Sequence, residues 1–135
     1  QLKNMIADYD MSDYVSLQTN ISFSELVELM QLAKVYFHPR IDEHFGISIV
    51  EAMASGLVPV VSNIGGHTEF VPPKYHFHTF SHAADLITLA FEATNSERRA
   101  ISNSTTKFSN ANYIRSFHRI LSELMNTDIA DIQTA

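Results

Sequence analysis

Residues 35–62 read VYFHPRIDEHFGISIVEAMASGLVPVVS and predict a strand, a helix and a second strand. The runs at 35–38 and 58–61 are short and largely apolar, which is typical of strands covered on both faces of a parallel sheet. Between them, residues 45–55 have apolar side chains at helical spacing, and Gly56 follows as a helix stop. Two strands joined through a helix in this way form a right-handed parallel crossover.

Upstream of this segment the pattern predicts one more strand and two helices. The β-prone run YVSL at 14–17 predicts the strand. Ser22 and Glu25 have the spacing of a capping box, so a helix is expected to start there. Apolar residues at helical spacing over 2–9 predict the other helix. Because that helix follows Gln1 directly, the chain is expected to begin inside an element, as a fragment would.

Downstream of Ser62 the sequence predicts a loop at 63–66, a short strand at 75–80 and three helices. Ser81 and Ser109 are expected to cap two of these helices, and residues 96–107 form the third. The predicted fold class is α/β, a Rossmann-like parallel sheet flanked by helices and followed by C-terminal helices. Residues 1–126 are expected to form one domain, and residues 127–135 a frayed tail.

The composition narrows the class of protein. At 135 residues the chain suits one domain, and 45% apolar residues support a sizeable core. A net charge of −6 argues against nucleic acid as a partner. The lack of cysteine excludes disulfides and cysteine chemistry, and no apolar run approaches the ~18 residues that cross a bilayer. We expect a cytoplasmic protein, held at the cytoplasmic face of a membrane only through parts absent from this sequence.

Two loops of the predicted sheet carry the candidate site. Ligands of open parallel sheets bind beyond the carboxyl ends of the strands, which selects residues 39–45 and 63–68. A helix beginning near Phe45 or Gly46 would present free amides and about half a positive charge, which suits a phosphate. Gly46, Gly65 and Gly66 leave room for close approach of a ligand. The alternative is that these glycines are ordinary turn residues.

Two carboxylates flank the predicted helix start, Glu43 just before it and Glu51 about a turn and a half inside it. A carboxylate can accept two hydrogen bonds from a vicinal diol, so the pair could hold a sugar or a ribose. Alternatively, Glu51 is a solvated surface residue and Glu43 only complements the helix dipole. A glycosidase acid and nucleophile pair is less favoured, because the glycines and the helix start indicate a phosphate ligand.

The segment HPRIDEHFGISIVEAMASGLVPVVSNIGGHTEF, residues 38–70, resembles the signature of glycosyltransferase family 4. Members of this family, also called glycosyl transferases group 1, are retaining enzymes with the GT-B fold. The resemblance covers residues 1–72 well and the remainder only in general layout. The matching pieces are Glu-x7-Glu from Glu43 to Glu51, Phe45-Gly46-Ile47, the EAMASG run that starts at Glu51, and Gly65-Gly66 followed by Glu69.

The resemblance implies a donor site for a UDP- or GDP-sugar, with no metal and no other cofactor. Glu51 matches the glutamate that accepts hydrogen bonds from the nucleotide ribose. Glu43 matches the catalytic glutamate beside the transferred sugar, and the amides of residues 45–47 match those that approach the sugar and diphosphate. The implied reaction is front-side, retaining transfer of a hexosyl group, such as mannose or glucose, to a glycan, lipid or other acceptor. The full predicted substrate-binding set is Glu43, His44, Phe45, Gly46, Ile47, Glu51, Gly65 and Gly66.

The sequence departs from the family pattern in what precedes Gln1. Family members carry an earlier first strand with a glycine-rich turn, an Arg and a Lys that hold the diphosphate, and an N-terminal domain for the acceptor. We therefore expect a C-terminal domain that lacks its first strand and is inactive alone. It would be completed by the missing N-terminal domain of the same protein or by a partner chain. The alternative is a non-catalytic nucleotide-sugar-binding subunit or structural module that completes a partner chain.

The seven histidines raise the question of a metal site. His76 and His78 would share one face of the predicted strand. No third ligand has suitable spacing, so we predict no metal site. His38 is expected to end its strand facing the crevice or packing beside it.

Overall fold

Three parallel strands form the sheet, in the order β1 (Val35–His38), β2 (Val58–Ser62) and β3 (His76–Phe77). The computed structural model describes the backbone of residues 1–133 and the side chains of residues 1–125. In the register, Val35 lies beside Val58, and Val61 lies beside His76. The α-helices are α1 (Leu2–Asp8), α2 (Phe23–Leu32), α3 (Ile47–Ala54), α4 (Phe80–Phe91), α5 (Asn95–Ser104) and α6 (Asn110–Gln133), with 3-10 helices at Gly66–Glu69, Pro73–Tyr75 and Thr105–Phe108.

The central strand β2 is the core of the domain. All five of its residues are buried, so both of its faces are covered, as its apolar sequence predicts. Pro59 is tolerated because Val58 donates to β1, through the carbonyl of Lys34, and amides alternate sides along a strand. The missing amide of Pro59 therefore faces away from β1, ahead of the point where β3 begins to pair. Helices α3 and α4 pack their buried side chains on this sheet, namely Ile49, Ala52, Met53, Ala83, Leu86 and Ala90.

The predicted fold class is confirmed, and so are the strands at 35–38 and 58–61. The capping box is present, with Ser22 Oγ accepting from the amide of Glu25 at 3.3 Å and the Glu25 carboxylate accepting from the amide of Ser22 at 2.7 Å. Helix α3 stops where predicted, at Gly56, whose φ is +86°. Ser109 caps α6, since its hydroxyl accepts from the amide of Asn112 at 3.4 Å.

The strand predicted at 14–17 is wrong. The amides of Tyr14 and Val15 turn back to the carbonyl of Met11, at 3.0 and 2.9 Å, so they are not free for a ladder. All four residues are exposed, and no strand lies beside them within the described residues. A β-prone run without a neighbouring strand leaves its backbone groups unpaired, and here residues 12–14 form a turn while 15–17 belong to no regular element.

Three further boundaries differ from the prediction. The strand predicted at 75–80 covers only His76–Phe77, because Thr79 already caps α4 by accepting from the amide of His82 at 3.1 Å. Ser81 therefore lies inside α4 and is not its cap. Thr94 caps α5 in the same way through the amide of Glu97, so this helix starts at Asn95 and not at 96. It ends at Ser104 and not at 107, because the chain continues as the 3-10 helix Thr105–Phe108.

The long helix α6 contacts the 3-10 helix Thr105–Phe108 and exposes most of its apolar residues between Tyr113 and Met125. The predicted tail at 127–135 stays a prediction. Its side chains lie outside the described residues, as do residues 134 and 135 altogether.

Candidate functional site

The loops that follow β1 and β2 lie side by side at the carboxyl edge of the sheet. Glu43 and Gly65 form an isolated parallel bridge, and the amide of Gly66 donates to the carbonyl of Glu43 at 2.8 Å. A further bond joins the amide of Asp42 to the carbonyl of Ile64 at 3.3 Å. The two segments predicted to open on one edge are therefore joined backbone to backbone, and Glu43 lies at the junction.

The glycine pair is needed for this junction. A Cβ atom on Gly66 would lie 1.8 Å from the carbonyl oxygen of His44, and one on Gly65 would lie 2.4 Å from that of Glu43. Gly65 also has a φ of +124°, which L side chains rarely adopt. These glycines thus allow the two loops to pack closely, and their predicted role in substrate binding stays a prediction.

The start of α3 is open. Its N-cap is Gly46, in the left-handed conformation with φ of 83°, and no side chain caps the helix. Ile47, the first helical residue, is 69% exposed. The first amides of a helix have no intrahelical acceptor, so a partial positive charge faces solvent here. The helix begins two residues later than predicted, because the chain must first turn at Gly46.

The Glu43 carboxylate is surrounded by donors and cations. One oxygen lies 3.7 Å from His38 Nε2 and 3.7 Å from Arg40 Nε. Partial burial acts to raise the pKa of this carboxyl, but the Arg40 guanidinium and the amide of Phe45 act in the opposite direction. The ring of His38 and the amide of His44 add to them, so the pKa of Glu43 is lowered. Glu43 is ionised at neutral pH and can accept hydrogen bonds from hydroxyl groups.

Glu51 faces a different neighbour. It is exposed on α3 and lines a cavity of about 180 Å³ between α3 and α2, together with the apolar side chains of Phe23, Leu26, Val27 and Met30. Along the chain, the two glutamates lie on either side of the first turn of α3. In space, Glu43 lies beside the loop after β2, and Glu51 lies beside α2. An apolar cavity of this kind could take the flat ring of a ligand. The carboxylate beside it could accept hydrogen bonds from hydroxyl groups of the same ligand.

Three phenylalanine rings pack against one another beside the loop that follows β1. The ring of Phe45 lies 5.3 Å from that of Phe70 and 5.2 Å from that of Phe108, and the latter two rings are 5.2 Å apart. These rings, with His44, Gly66, Glu69 and Lys107, line a cavity of about 270 Å³. His44 therefore lies beside the junction, and its predicted part in substrate binding stays a prediction. Phe70 and Phe108 were not predicted, and no local pattern indicates them, because they come from distant parts of the chain.

The predicted histidine pair is used in ordinary contacts. His76 Nε2 lies 3.0 Å from the carbonyl of Val71, and His78 Nδ1 lies 2.8 Å from the side-chain amide of Asn63. Within the described residues, no group of three or more side chains is arranged to hold a metal ion. None of the helices described here is both long enough and apolar enough to cross a membrane.

The sheet, the paired loops and the open helix start define a Rossmann-like α/β domain. Residues 1–107 match the family described as glycosyl transferases group 1, and the chain belongs to this family. The predicted family is thereby confirmed, and the fold is that of the C-terminal domain of a GT-B glycosyltransferase.

Curated relatives are mannosyltransferases by name. The chain is 31% identical over 136 residues to the GDP-Man:Man(3)GlcNAc(2)-PP-Dol alpha-1,2-mannosyltransferase of Dictyostelium discoideum, covering 96% of this chain and 27% of the relative. It is 41% identical over 63 residues to the O-antigen chain mannosyltransferase RfbU of Salmonella typhimurium, covering 47% and 18%. It is 40% identical over 63 residues to the GDP-mannose:cellobiosyl-diphosphopolyprenol alpha-mannosyltransferase of Xanthomonas campestris, covering 47% and 17%. The chain thus spans about a quarter or less of the length of these relatives.

Proposed function

We propose that this chain is the donor-binding part of a retaining glycosyltransferase that transfers a mannosyl group from GDP-mannose. Family membership supports the class of reaction. The donor is inferred from the relatives, two of which carry GDP-mannose in their names in full or abbreviated form. The observation that carries the proposal is the junction at Glu43, where an ionised carboxylate lies next to an open helix start.

Each part of the donor is matched by one feature of the site. The amides at the start of α3 bind the diphosphate, because an open helix N-terminus attracts anions. Glu51 accepts hydrogen bonds from the ribose hydroxyls, and the apolar cavity beside it receives the base. Glu43 accepts hydrogen bonds from the hydroxyls of the sugar.

The chemical step requires two kinds of electrostatic help. Negative charge builds on the departing diphosphate, and the helix dipole of about half an elementary charge stabilises it without a metal ion. Positive charge builds at the anomeric carbon, and the ionised Glu43 stabilises that charge. In a retaining front-side reaction the acceptor approaches from the face that the diphosphate leaves, and the diphosphate assists its deprotonation.

Catalysis requires structure beyond this chain. We place the acceptor site on an N-terminal domain, supplied by the same polypeptide or by a partner chain. Within the described residues β1 pairs only with β2, and its outer edge is free. Phe37 on β1 and Ile41 just after it are 37% and 55% exposed. The free edge of β1 and these exposed apolar side chains also suit the second candidate function, a non-catalytic nucleotide-sugar-binding subunit that completes a partner chain.

Calorimetric titration with GDP-mannose, GDP and UDP-glucose tests the proposal, using the complete polypeptide that carries this chain. Glu51→Gln is expected to weaken GDP binding by about 1 to 2 kcal/mol, through loss of charged hydrogen bonds. Glu43→Gln is expected to lower turnover more than affinity. Glu92→Gln, at the exposed end of α4, is the matched control. Unchanged binding and turnover in both site variants would reject the assigned roles, and donor binding without turnover would favour the second candidate function.

A further inference from the structure

The side chain of His38 is fixed at the end of β1, directly beside Glu43. Only 16% of this side chain is exposed. Tyr36, two residues earlier on the same face of the strand, stacks on it with ring centroids 6.1 Å apart and planes 20° from parallel. The ring of His38 therefore has a supported position, whereas the Arg40 side chain, which contacts the same carboxylate oxygen, is 65% exposed and screened by water.

A hydrogen-bond chain determines which nitrogen of His38 faces Glu43. The hydroxyl of Tyr36 donates to Ser48 Oγ, in the first turn of α3, at 2.9 Å. A phenol has one proton, so the same oxygen can only accept from His38 Nδ1, which lies 3.4 Å away. This arrangement places a proton on Nδ1 and directs Nε2 toward the carboxylate, 3.7 Å from its oxygen.

The Nε2 atom of His38 is buried and has no hydrogen-bond partner in the described part of the chain. A buried nitrogen without a partner is unfavourable, and a bare lone pair facing a carboxylate is more so. An N–H group at Nε2 would make the contact attractive, in line with the ring of His38 acting to lower the pKa of Glu43. The groups that face this pair are Arg40 and the amides of residues 44 and 45 from the loop, Tyr36 from β1, and Ser48 from the first turn of α3.

We propose that His38 is a positioning residue for Glu43, held by the Ser48–Tyr36 chain so that its Nε2 proton orients the carboxylate. This inference rests on the proposed function, since it assigns Glu43 the sugar as ligand. His38 and Arg40 both approach the same carboxylate oxygen of Glu43, Oε2, which leaves Oε1 for the sugar hydroxyls. Because Ser48 belongs to the first turn of α3, the same series of hydrogen bonds couples the diphosphate end of the site to the sugar end.

The direct test is the titration of Glu43 by carboxyl carbon NMR, in the chain and in its variants. His38→Ala is expected to raise the pKa of Glu43, and His38→Gln, which keeps an N–H group near the Nε2 position, to restore much of the original value. Tyr36→Phe is expected to raise this pKa as well, and to add nothing in the His38→Ala background. Tyr75→Phe, which removes a buried phenol bonded to Glu97, is the control and should leave it unchanged. An unchanged Glu43 pKa in His38→Ala, or additive effects in the double variant, would overturn the inference.

A kinetic comparison separates this inference from the proposed function. In the complete polypeptide, His38→Ala is expected to lower kcat by about tenfold with little change in KM, as for one lost polar contact to a charged group. Absence of donor binding in the unsubstituted protein would contradict the proposed function, while the NMR result would still decide whether His38 positions Glu43. Unaltered kcat in His38→Ala, in a protein that does turn over, would contradict the positioning role alone.

Discussion

The backbone amide of Gly66 donates a 2.8 Å hydrogen bond to the carbonyl oxygen of Glu43, and this contact joins the two loops of the candidate site. It makes the position of the catalytic candidate depend on a residue 23 positions further along the chain. The loops after β1 and β2 therefore move as one unit, and a change in either is expected to affect both.

Substitution of Gly66 by alanine is expected to displace this junction. The new Cβ atom would meet the backbone oxygen of His44 at 1.8 Å, which no side-chain rotation relieves. We expect a loss of about 1 to 3 kcal/mol in the free energy of unfolding, from overpacking. Denaturant unfolding measures this loss, and amide chemical shifts of residues 42–45 report the displacement.

Gly56→Ala is the matched control for that change. Gly56 has a φ of +86° and open space around its Cα atom, so the substitution introduces strain of about 1 to 2 kcal/mol without a clash. Both variants lose stability, but only Gly66→Ala is expected to shift the amides of residues 42–45. Identical shifts in the two variants would show that the junction is not locally constrained.

The Arg98 side chain links the end of α4 to the start of β1, at the end of the sheet opposite to the candidate site. Its guanidinium donates to the carbonyl of Lys34 at 2.6 Å, just before β1, and to those of Ala90 and Ala93 at 3.3 Å, at the end of α4. Arg98→Ala is expected to lower the free energy of unfolding by about 2 kcal/mol or more, since several carbonyls lose their donor. Arg99→Ala, in the same pocket but exposed, is the control and should change it by less than about 0.5 kcal/mol. Equal losses in thermal or denaturant unfolding would refute this role.

Acid stability is expected to depend on Glu97. Its hydrogen bonds from Lys74 and Tyr75 lower the pKa of the carboxyl in the folded state. A lowered folded pKa contributes stability above the unfolded pKa, and this contribution disappears as pH falls through the folded value. Glu97→Gln should therefore lower Tm at pH 7 and reduce the further fall of Tm below about pH 4.5.

The fall of Tm at high pH provides a second check on the contact between Lys74 and Glu97. The pKa of Lys74 is raised, mainly by its bond to Glu97, so the stability from Lys74 is present at neutral pH and is lost as pH rises through the folded value. Glu97→Gln should therefore also reduce the fall of Tm at high pH. A Tm profile that is parallel to the wild-type profile at both extremes would be inconsistent with the contact. Glu25 and Glu43 also have lowered pKa values, so part of the acid sensitivity should remain.

Phe108 is expected to support the site from outside the matched family segment. Its ring contacts both Phe45 and Phe70, and each aromatic pair of this kind contributes about 0.5 to 1.5 kcal/mol. Phe108→Ala should lower the free energy of unfolding by about 1 to 3 kcal/mol and weaken donor binding. Phe80→Ala removes one ring contact, with Phe77, at a position 62% exposed, and should spare donor binding. Retained donor affinity in Phe108→Ala would show that the rings do not hold the loop.

Local patterns predicted the elements whose stability is local. The capping box at Ser22, the stop at Gly56 and the apolar run of β2 each involve residues close in sequence, and all three are present. The choice between Thr79 and Ser81 as a cap could not be made from sequence, because both are good caps. In the structure Thr79 is the cap, and β3 ends at Phe77, where its pairing with β2 ends.

The errors fall where a distant partner decides the structure. The run at 14–17 has strand propensity but no neighbouring strand among the described residues. The triangle of Phe45, Phe70 and Phe108 joins three segments that share no local pattern. Likewise, the glycine pair was predictable as a special backbone position, whereas its packing against residues 43 and 44 required coordinates.

The most direct test of the donor site is a map of amide chemical shifts during titration of the labelled chain with GDP-mannose. We expect shifts concentrated at the start of α3, at Glu51 and in the linked loops at 42–46 and 64–66. Shifts confined to the opposite edge, around Arg98 and Arg99, or no shifts at millimolar donor in a folded chain, would contradict it.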